Sequence, residues 1–157
     1  MFTAEAKERL DKIIAKYPAK KAALLPALWL AQEQYDGWLP PQAMREVAEY
    51  LDLSPAEVEG VATFYTMYNK EKLGKFHIEV CHNIACMVRG ADDLIGHVCR
   101  RLGIEKGETT PDGQFTVSGA ECLGACAHAP ALMVGDKYYE DMTPEKIDAL
   151  VDELKKK

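Results

Sequence analysis

Up to about residue 68 the apolar positions fall at helical spacing. Leu10, Ile13, Ile14 and Tyr17 follow an i, i+3, i+4, i+7 pattern, and Leu24, Leu28 and Ala31 continue it in a second segment. Pro18 and Gly37 punctuate these stretches. Pro40-Pro41 opens a third helix that runs through Leu51. Ser54 is placed as the N-cap of a fourth, with Pro55 at its first position and Glu57 completing a capping box. The pattern predicts a small bundle of four short helices.

After Asn69 the period changes. Phe76, Ile78 and Val80 alternate with polar residues and predict a strand that ends at Cys81. A helix is predicted over Met87–Leu102, followed by a turn at Pro111-Asp112-Gly113 and a strand near Gln114–Ser118. An apolar strand at Ala131–Val134, a turn at Gly135-Asp136, a strand at Lys137–Tyr139 and a helix opened by Thr143-Pro144 complete the chain. The order β-α-β-β-β-α predicts a small thioredoxin-like sheet. The expectation is an α+β chain in two domains, residues 1–70 a helical bundle and 71–157 the sheet domain. The boundary is placed near Asn69–Lys75, where Asn, Lys, Glu and Gly cluster.

Composition narrows the function classes. With 157 residues and 48% hydrophobic content, the chain can bury a real core. The 19 basic against 25 acidic residues leave a net charge of -6, and the one basic run, Lys155-Lys156-Lys157, reads as a solvated helix end, which argues against nucleic acid as a partner. The longest apolar run, Ala22 to Ala31, contains Pro26 and falls well short of the roughly 20 residues a membrane span needs. The start, MFTAEAKERL, lacks a basic segment followed by an apolar one, so no secretory signal is expected. The natural setting is a reducing cytosol, where five cysteines read as metal ligands rather than bridges.

Four of the five cysteines form two tight pairs, Cys81-x4-Cys86 and Cys122-x3-Cys126. Thiolates at such separations can be aimed at one point by a loop, and soft sulfur donors select iron-sulfur clusters, zinc or Cu(I). A 2Fe-2S rhomb takes two thiolates on each iron, which suits two separated pairs, although the C-x4-C-x2-C spacing of plant-type ferredoxins is not matched. A structural zinc knuckle fits the gaps only partly. Thiol-disulfide exchange is the third reading, weakened because neither pair is a C-x-x-C. Gly124 permits unusual backbone angles that would let amide N–H groups approach cluster sulfurs. Cys86 is expected to precede the Met87–Leu102 helix, whose N-terminal dipole would favour an anionic group. Cys99 falls in line with Ile95, Val98 and Leu102 and is read as a small buried hydrophobe. His82 and His128 adjoin the pairs but are not needed as ligands beside four cysteines. Trp29, Trp38, Phe64, Tyr65 and Tyr68 are read as core or partner interface rather than as an electron path.

The second half resembles a known family. Asp112-x2-Phe115-Thr116-x5-Cys122-Leu123-Gly124-x-Cys126-x2-Ala129-Pro130 is similar at every fixed position to the signature of the thioredoxin-like 2Fe-2S E-type subunits of NADH:quinone oxidoreductase, respiratory complex I. The Cys81-x4-Cys86 spacing also agrees, and so do Tyr35-Asp-Gly-Trp-Leu-Pro40 and Glu59-Gly60-Val-Ala-Thr-Phe64-Tyr65 in the first half. The resemblance therefore covers nearly the whole chain. It implies that Cys81, Cys86, Cys122 and Cys126 bind one 2Fe-2S cluster in an electron-transfer subunit without a catalytic acid, base or nucleophile of its own. It also implies an NADH- and FMN-binding flavoprotein partner, further iron-sulfur partner subunits, and a cytoplasmic place at the inner face of the cell membrane. Related subunits of NAD-linked hydrogenases and formate dehydrogenases fit the same motifs, and a structural zinc-binding interaction module is the alternative of another class.

One further pattern agrees. Among the 11 glycines there is no GxGxxG and no GxxxxGK[ST], so NADH oxidation by this chain alone is not expected. NADH delivers a hydride and a 2Fe-2S cluster passes one electron, so a flavin has to split the pair.

Overall fold

The computed structural model describes residues 2–157. The described chain falls into two units, divided between Lys72 and Leu73.

The first unit is helical. Helices α1 (Ala4–Ile14), α2 (Leu24–Gln34), α3 (Pro41–Leu51) and α4 (Pro55–Phe64) form it, with a 3-10 turn at Lys20–Ala23 leading into α2. The four expected helices are present, and the chain supplies a stop or start signal at most of their ends. Thr3 caps α1 by accepting from the Ala6 N–H at 3.2 Å. Pro41 stands at the first position of α3, and Asp52 ends that helix in a left-handed conformation. At α4 the capping box predicted from Ser54 and Glu57 is formed in both directions. Leu10, Leu28, Leu39, Val47, Leu51 and Val58 are fully buried in the core of this unit. Gln32, buried and polar, is satisfied by the Met67 carbonyl and the Asn69 N–H, which ties the chain beyond α4 back to α2.

The second unit is a four-stranded sheet with strands β1 (Phe76–Cys81), β2 (Phe115–Ala120), β3 (Leu132–Val134) and β4 (Lys137–Tyr139) in the order β2-β1-β3-β4. β1 and β2 run parallel, with Val80 opposite Gly119 and Cys81 opposite Ala120, whereas β3 is antiparallel to both β1 and β4. Helices α5 (Ile84–Val88) and α6 (Ala91–Leu102) connect β1 to β2, and α7 (Pro144–Leu154) closes the chain. Ile78, Val80, Phe115, Val117 and Leu132 of the sheet share one core with Leu94, Ile95, Val98 and Cys99 of α6 and Ile147, Leu150 and Val151 of α7. α6 and α7 are also joined at their surface, where Asp148 lies 3.0 Å from His97 Nε2 and Arg101 reaches Asp148 and Asp152.

One expected element is different. The helix predicted over Met87–Leu102 is two helices, because Gly90 adopts φ +89 and ends the first while acting as N-cap of the second. Asp92 and Asp93 in the first turn of α6, with Arg100 and Arg101 in its last, complement its dipole and make Ala91 a favourable start. Cys86 consequently lies inside the short α5 instead of preceding a long helix, and the expected dipole contribution from Met87 onward does not apply to it.

Candidate metal centre

The parallel register brings the two cysteine pairs to the same end of the sheet. β1 delivers Cys81 and β2 ends one residue before Glu121, so both loops leave side by side; the Cys81 N–H donates to the Ala131 carbonyl at 3.1 Å and the His82 N–H to the Ala120 carbonyl at 3.1 Å. Asn83 then caps α5, its Oδ1 accepting from the Ile84 N–H at 2.8 Å, and the turn that follows carries Cys86 inward. The second loop holds Cys122, Gly124 at φ +74 and a 3-10 turn at Cys126–His128. Its far side is tied down by the Asp141 N–H to the His128 carbonyl, the Met142 N–H to the Pro130 carbonyl, and a 3.1 Å contact from His128 Nδ1 to Asp141 Oδ2.

Cys81 and Cys86 are buried against Ala91, Ala129 and Ala131, with Ala85, Leu123 and Ala125 packed around them, whereas Cys122 and Cys126 are exposed. All five cysteines are free thiols. Burial pushes the Cys81 thiol up, but the N–H groups of Asn83 and Leu123 and the Cys86 thiol, all directed at its sulfur, outweigh it and the net shift is downward. Cys86 moves the other way: burial raises it, and negative charge on Cys81 and Cys126 adds to that rise against the Ala131 N–H. The Gly124 N–H reaches Cys122 Sγ at 3.4 Å. Sulfurs from both loops are thus within electrostatic reach of one another, and backbone donors act on three of them.

This donor set fits an iron-sulfur cluster. The thiols are soft, free and divided two by two, the side chains lining the floor are small, and the N–H groups face sulfur, where they would stabilise a cluster's negative charge. Among the described residues no three His, Cys, Asp or Glu side chains converge on one point as ligands of a single ion would.

The comparisons with known proteins decide between the readings. The sequence profile of the thioredoxin-like 2Fe-2S ferredoxin matches residues 10–155. The chain belongs to the thioredoxin-like 2Fe-2S ferredoxin family. It is 42% identical over 149 residues to an E-type subunit of NADH-quinone oxidoreductase from Rhizobium meliloti, covering 95% of this chain and 88% of the relative. It is 47% identical over 145 residues to the E-type subunit of NADH-quinone oxidoreductase from Rickettsia felis, covering 91% and 87%. Mitochondrial NADH dehydrogenase (ubiquinone) flavoprotein 2 of Dictyostelium discoideum is 43% identical over 156 residues, 98% of this chain and 63% of that one. Among solved structures, an NAD+-reducing NiFe-hydrogenase in its air-oxidised state superposes with a TM-score of 0.73 at 26% identity, over 85% of this chain and 23% of the hydrogenase chain. This ferredoxin-family chain therefore spans about a quarter of the hydrogenase chain it resembles, while it matches most of the length of the two bacterial relatives.

The remaining candidates fall into place around the site. Cys99 is buried in the core of α6 and the sheet, as expected of a small hydrophobe. His82 and His128 lie beside the loops, His82 with Nε2 4.0 Å from Glu121 Oε1. Tyr68 is buried, whereas Phe64 is largely exposed and Trp29 and Tyr65 are partly so, in a chain of edge-to-face contacts, which suits an interface more than a core. Leu123 and Ala129 stand at fixed positions of the family signature, whereas Asn83, Ala91 and Ala131 were not apparent as site residues from sequence. Of those three, Asn83 carried a usable signal, as a cap-type residue two positions after the strand-ending cysteine.

Proposed function

We propose that this chain is the electron-carrying E-type subunit of an NADH:quinone oxidoreductase and that Cys81, Cys86, Cys122 and Cys126 are the four ligands of its single 2Fe-2S cluster. The observation that carries the reading is the meeting of the two cysteine loops at one end of the parallel β1-β2 pair, in a chain of this family. The cluster supplies one-electron transfer when bound.

The chain's own residues do the rest. Cys81 and Cys86 hold their sulfurs in an apolar pocket of alanines that restricts water. The N–H groups of Asn83, Leu123 and Gly124 favour charge on the sulfurs, and the exposed Cys122 and Cys126 place that side of the centre at the surface. Ile84, Met87 and Val88 on α5 are 72%, 49% and 78% exposed, an apolar surface next to Cys86 that supports docking of an NADH- and FMN-binding flavoprotein subunit. In this reading residues 71–157 form the cluster domain and residues 1–70 a helical domain that meets the flavoprotein or further iron-sulfur subunits of the complex. No described helix is long and apolar enough to cross a membrane, which is consistent with attachment at the inner face of the cell membrane through those partners.

The resemblance to an NAD+-reducing hydrogenase supports a second reading, the equivalent subunit of an NAD-linked hydrogenase. The identity of 26% there, against 42% and 47% to the two bacterial E-type subunits, favours the quinone-linked complex. The test is anaerobic purification followed by visible absorption, EPR before and after dithionite, and iron and zinc analysis of the same sample. A brown protein with two irons per chain that is EPR-silent as isolated and EPR-active after one-electron reduction is expected. A colourless protein with one zinc per chain would sink the assignment.

A further inference from the structure

Gly119, on the last part of β2, is a glycine for a reason its backbone does not explain, since it is not among the glycines with positive φ. The explanation is space. A Cβ at this position would stand 2.6 Å from His82 Cδ2, 2.9 Å from His82 Nε2 and 2.9 Å from Lys106 Cε. The lysine atom lies near the end of a flexible chain and can move. The imidazole edge is less free, because the His82 backbone is fixed by its N–H bond to the Ala120 carbonyl and by the end of β1 one residue earlier.

We propose that Gly119 is a seat for the His82 ring and that His82 is a positioning residue which fixes the two cysteine loops relative to each other. This rests on the ligand assignment made above. His82 follows Cys81 and precedes Asn83, whose N–H is directed at the Cys81 sulfur; across the seat, Gly119 and Ala120 lead directly into Glu121 and Cys122, and Leu123 supplies the second N–H to Cys81. The ring therefore touches the strand that leads to one pair while it belongs to the loop that carries the other. Glu121 Oε1 lies 4.0 Å from the ring Nε2. If the ring is displaced, the Asn83 and Leu123 donors shift together with respect to sulfur, and donors to cluster sulfurs set the reduction potential. The action is steric, so it requires a flat side chain of this size and not a particular protonation state.

The experiment is a double-mutant cycle on the full chain with Gly119→Ala, His82→Ala and the pair, adding His82→Phe as a conservative variant. Each is read by iron content, the EPR line shape of the reduced protein, the midpoint potential and the thermal midpoint. Gly119→Ala is expected to alter the EPR line shape and to shift the potential enough to change the oxidised-to-reduced ratio at the native midpoint by about threefold or more. In the Gly119→Ala/His82→Ala pair the added methyl has room, so the potential and the thermal midpoint should match those of His82→Ala alone, a strongly non-additive result. His82→Phe should keep the native potential. Additive effects in the cycle would overturn the proposal, as would an unchanged potential and line shape in both Gly119→Ala and His82→Ala with two irons bound. An unaltered chain that binds no iron would overturn the ligand assignment and the proposal together, whereas an iron-replete native protein with an additive cycle would overturn the proposal alone.

Discussion

Cys81 and Cys86 are 4% and 2% exposed and are carried by regular elements, the end of a strand and the middle of a short helix, whereas Cys122 and Cys126 are exposed and lie in a loop. The first pair is positioned by burial. Its sulfurs contribute to an apolar contact with Ala91, Ala129 and Ala131 whether or not they hold iron. The second pair depends on backbone shape: Gly124 at φ +74, the 3-10 turn and the ties from Asp141 and Met142. If all four bind the cluster as proposed, chemically equivalent thiols stand in two physical roles, the first pair structural as well as coordinating and the second coordinating only.

Serine substitution breaks that equivalence most sharply. Cys86→Ser should lose the cluster and, in the iron-free chain, also lower stability by about 1–3 kcal/mol, because a smaller and more polar hydroxyl replaces a sulfur buried against alanines. Cys126→Ser should lose or weaken the cluster while the iron-free chain stays within about 0.5 kcal/mol of the parent, as an exposed change does. Iron analysis and urea denaturation after iron removal read both. Equal stability of the two iron-free variants would show that burial plays no separate part in the first pair. The dependence of the second loop on backbone shape is tested by Gly124→Ala. No atom lies within 4 Å of the added methyl, so the cost is conformational, about 1 kcal/mol, and the N–H to Cys122 survives. A loss of more than half the iron from Gly124→Ala would mean that the loop tolerates far less strain than this.

Cys99 supplies the control for both loops. It is buried like the first pair but lies in the α6 core, far from the loops in the chain. Cys99→Ala should cost about 1 kcal/mol through the small cavity it leaves and keep the full iron content. Loss of the cluster from this variant would require a fifth sulfur in the site.

Much of this division was legible in the sequence, and the parts that were not share a cause. The capping box at Ser54, the Phe76-Ile78-Val80 alternation and the Thr143-Pro144 helix start are local signals, read within a few residues, and each element forms where it was expected. The break at Gly90 is also local, but one glycine between Met87 and Leu102 does not by itself separate a single helix from two, and one helix is expected where two exist. The features that sort the cysteines were not local at all. Which pair is buried depends on Cys81 facing Ala120 and Ala131 across two strand pairings, and the seat of His82 on Gly119 depends on the same parallel register. Cysteine spacing states which residues are able to bind a metal. It carries no information about which of them the sheet will cover.

The smallest effect concerns β1 at the end away from Cys81 and separates acid sensitivity of the strand from that of the loops. His77 is about a fifth exposed, hydrogen-bonded through Nε2 to Ser118 Oγ at 2.7 Å, with Glu79 Oε2 3.8 Å from its Nδ1. The nearby carboxylate would favour the charged ring, yet burial dominates and holds the His77 pKa below its ordinary value. The folded chain thus keeps this ring neutral at a pH where the unfolded chain takes up a proton, so its contribution is present above the unfolded pKa and declines as pH falls through about 6.5. His77→Gln retains a neutral partner for Ser118 and removes the titration. Urea midpoints of the iron-free chains at pH 8 and pH 5.5 should fall further for the parent than for His77→Gln. A parallel fall would place the acid sensitivity elsewhere, with the cysteine loops and their N–H donors the next region to vary.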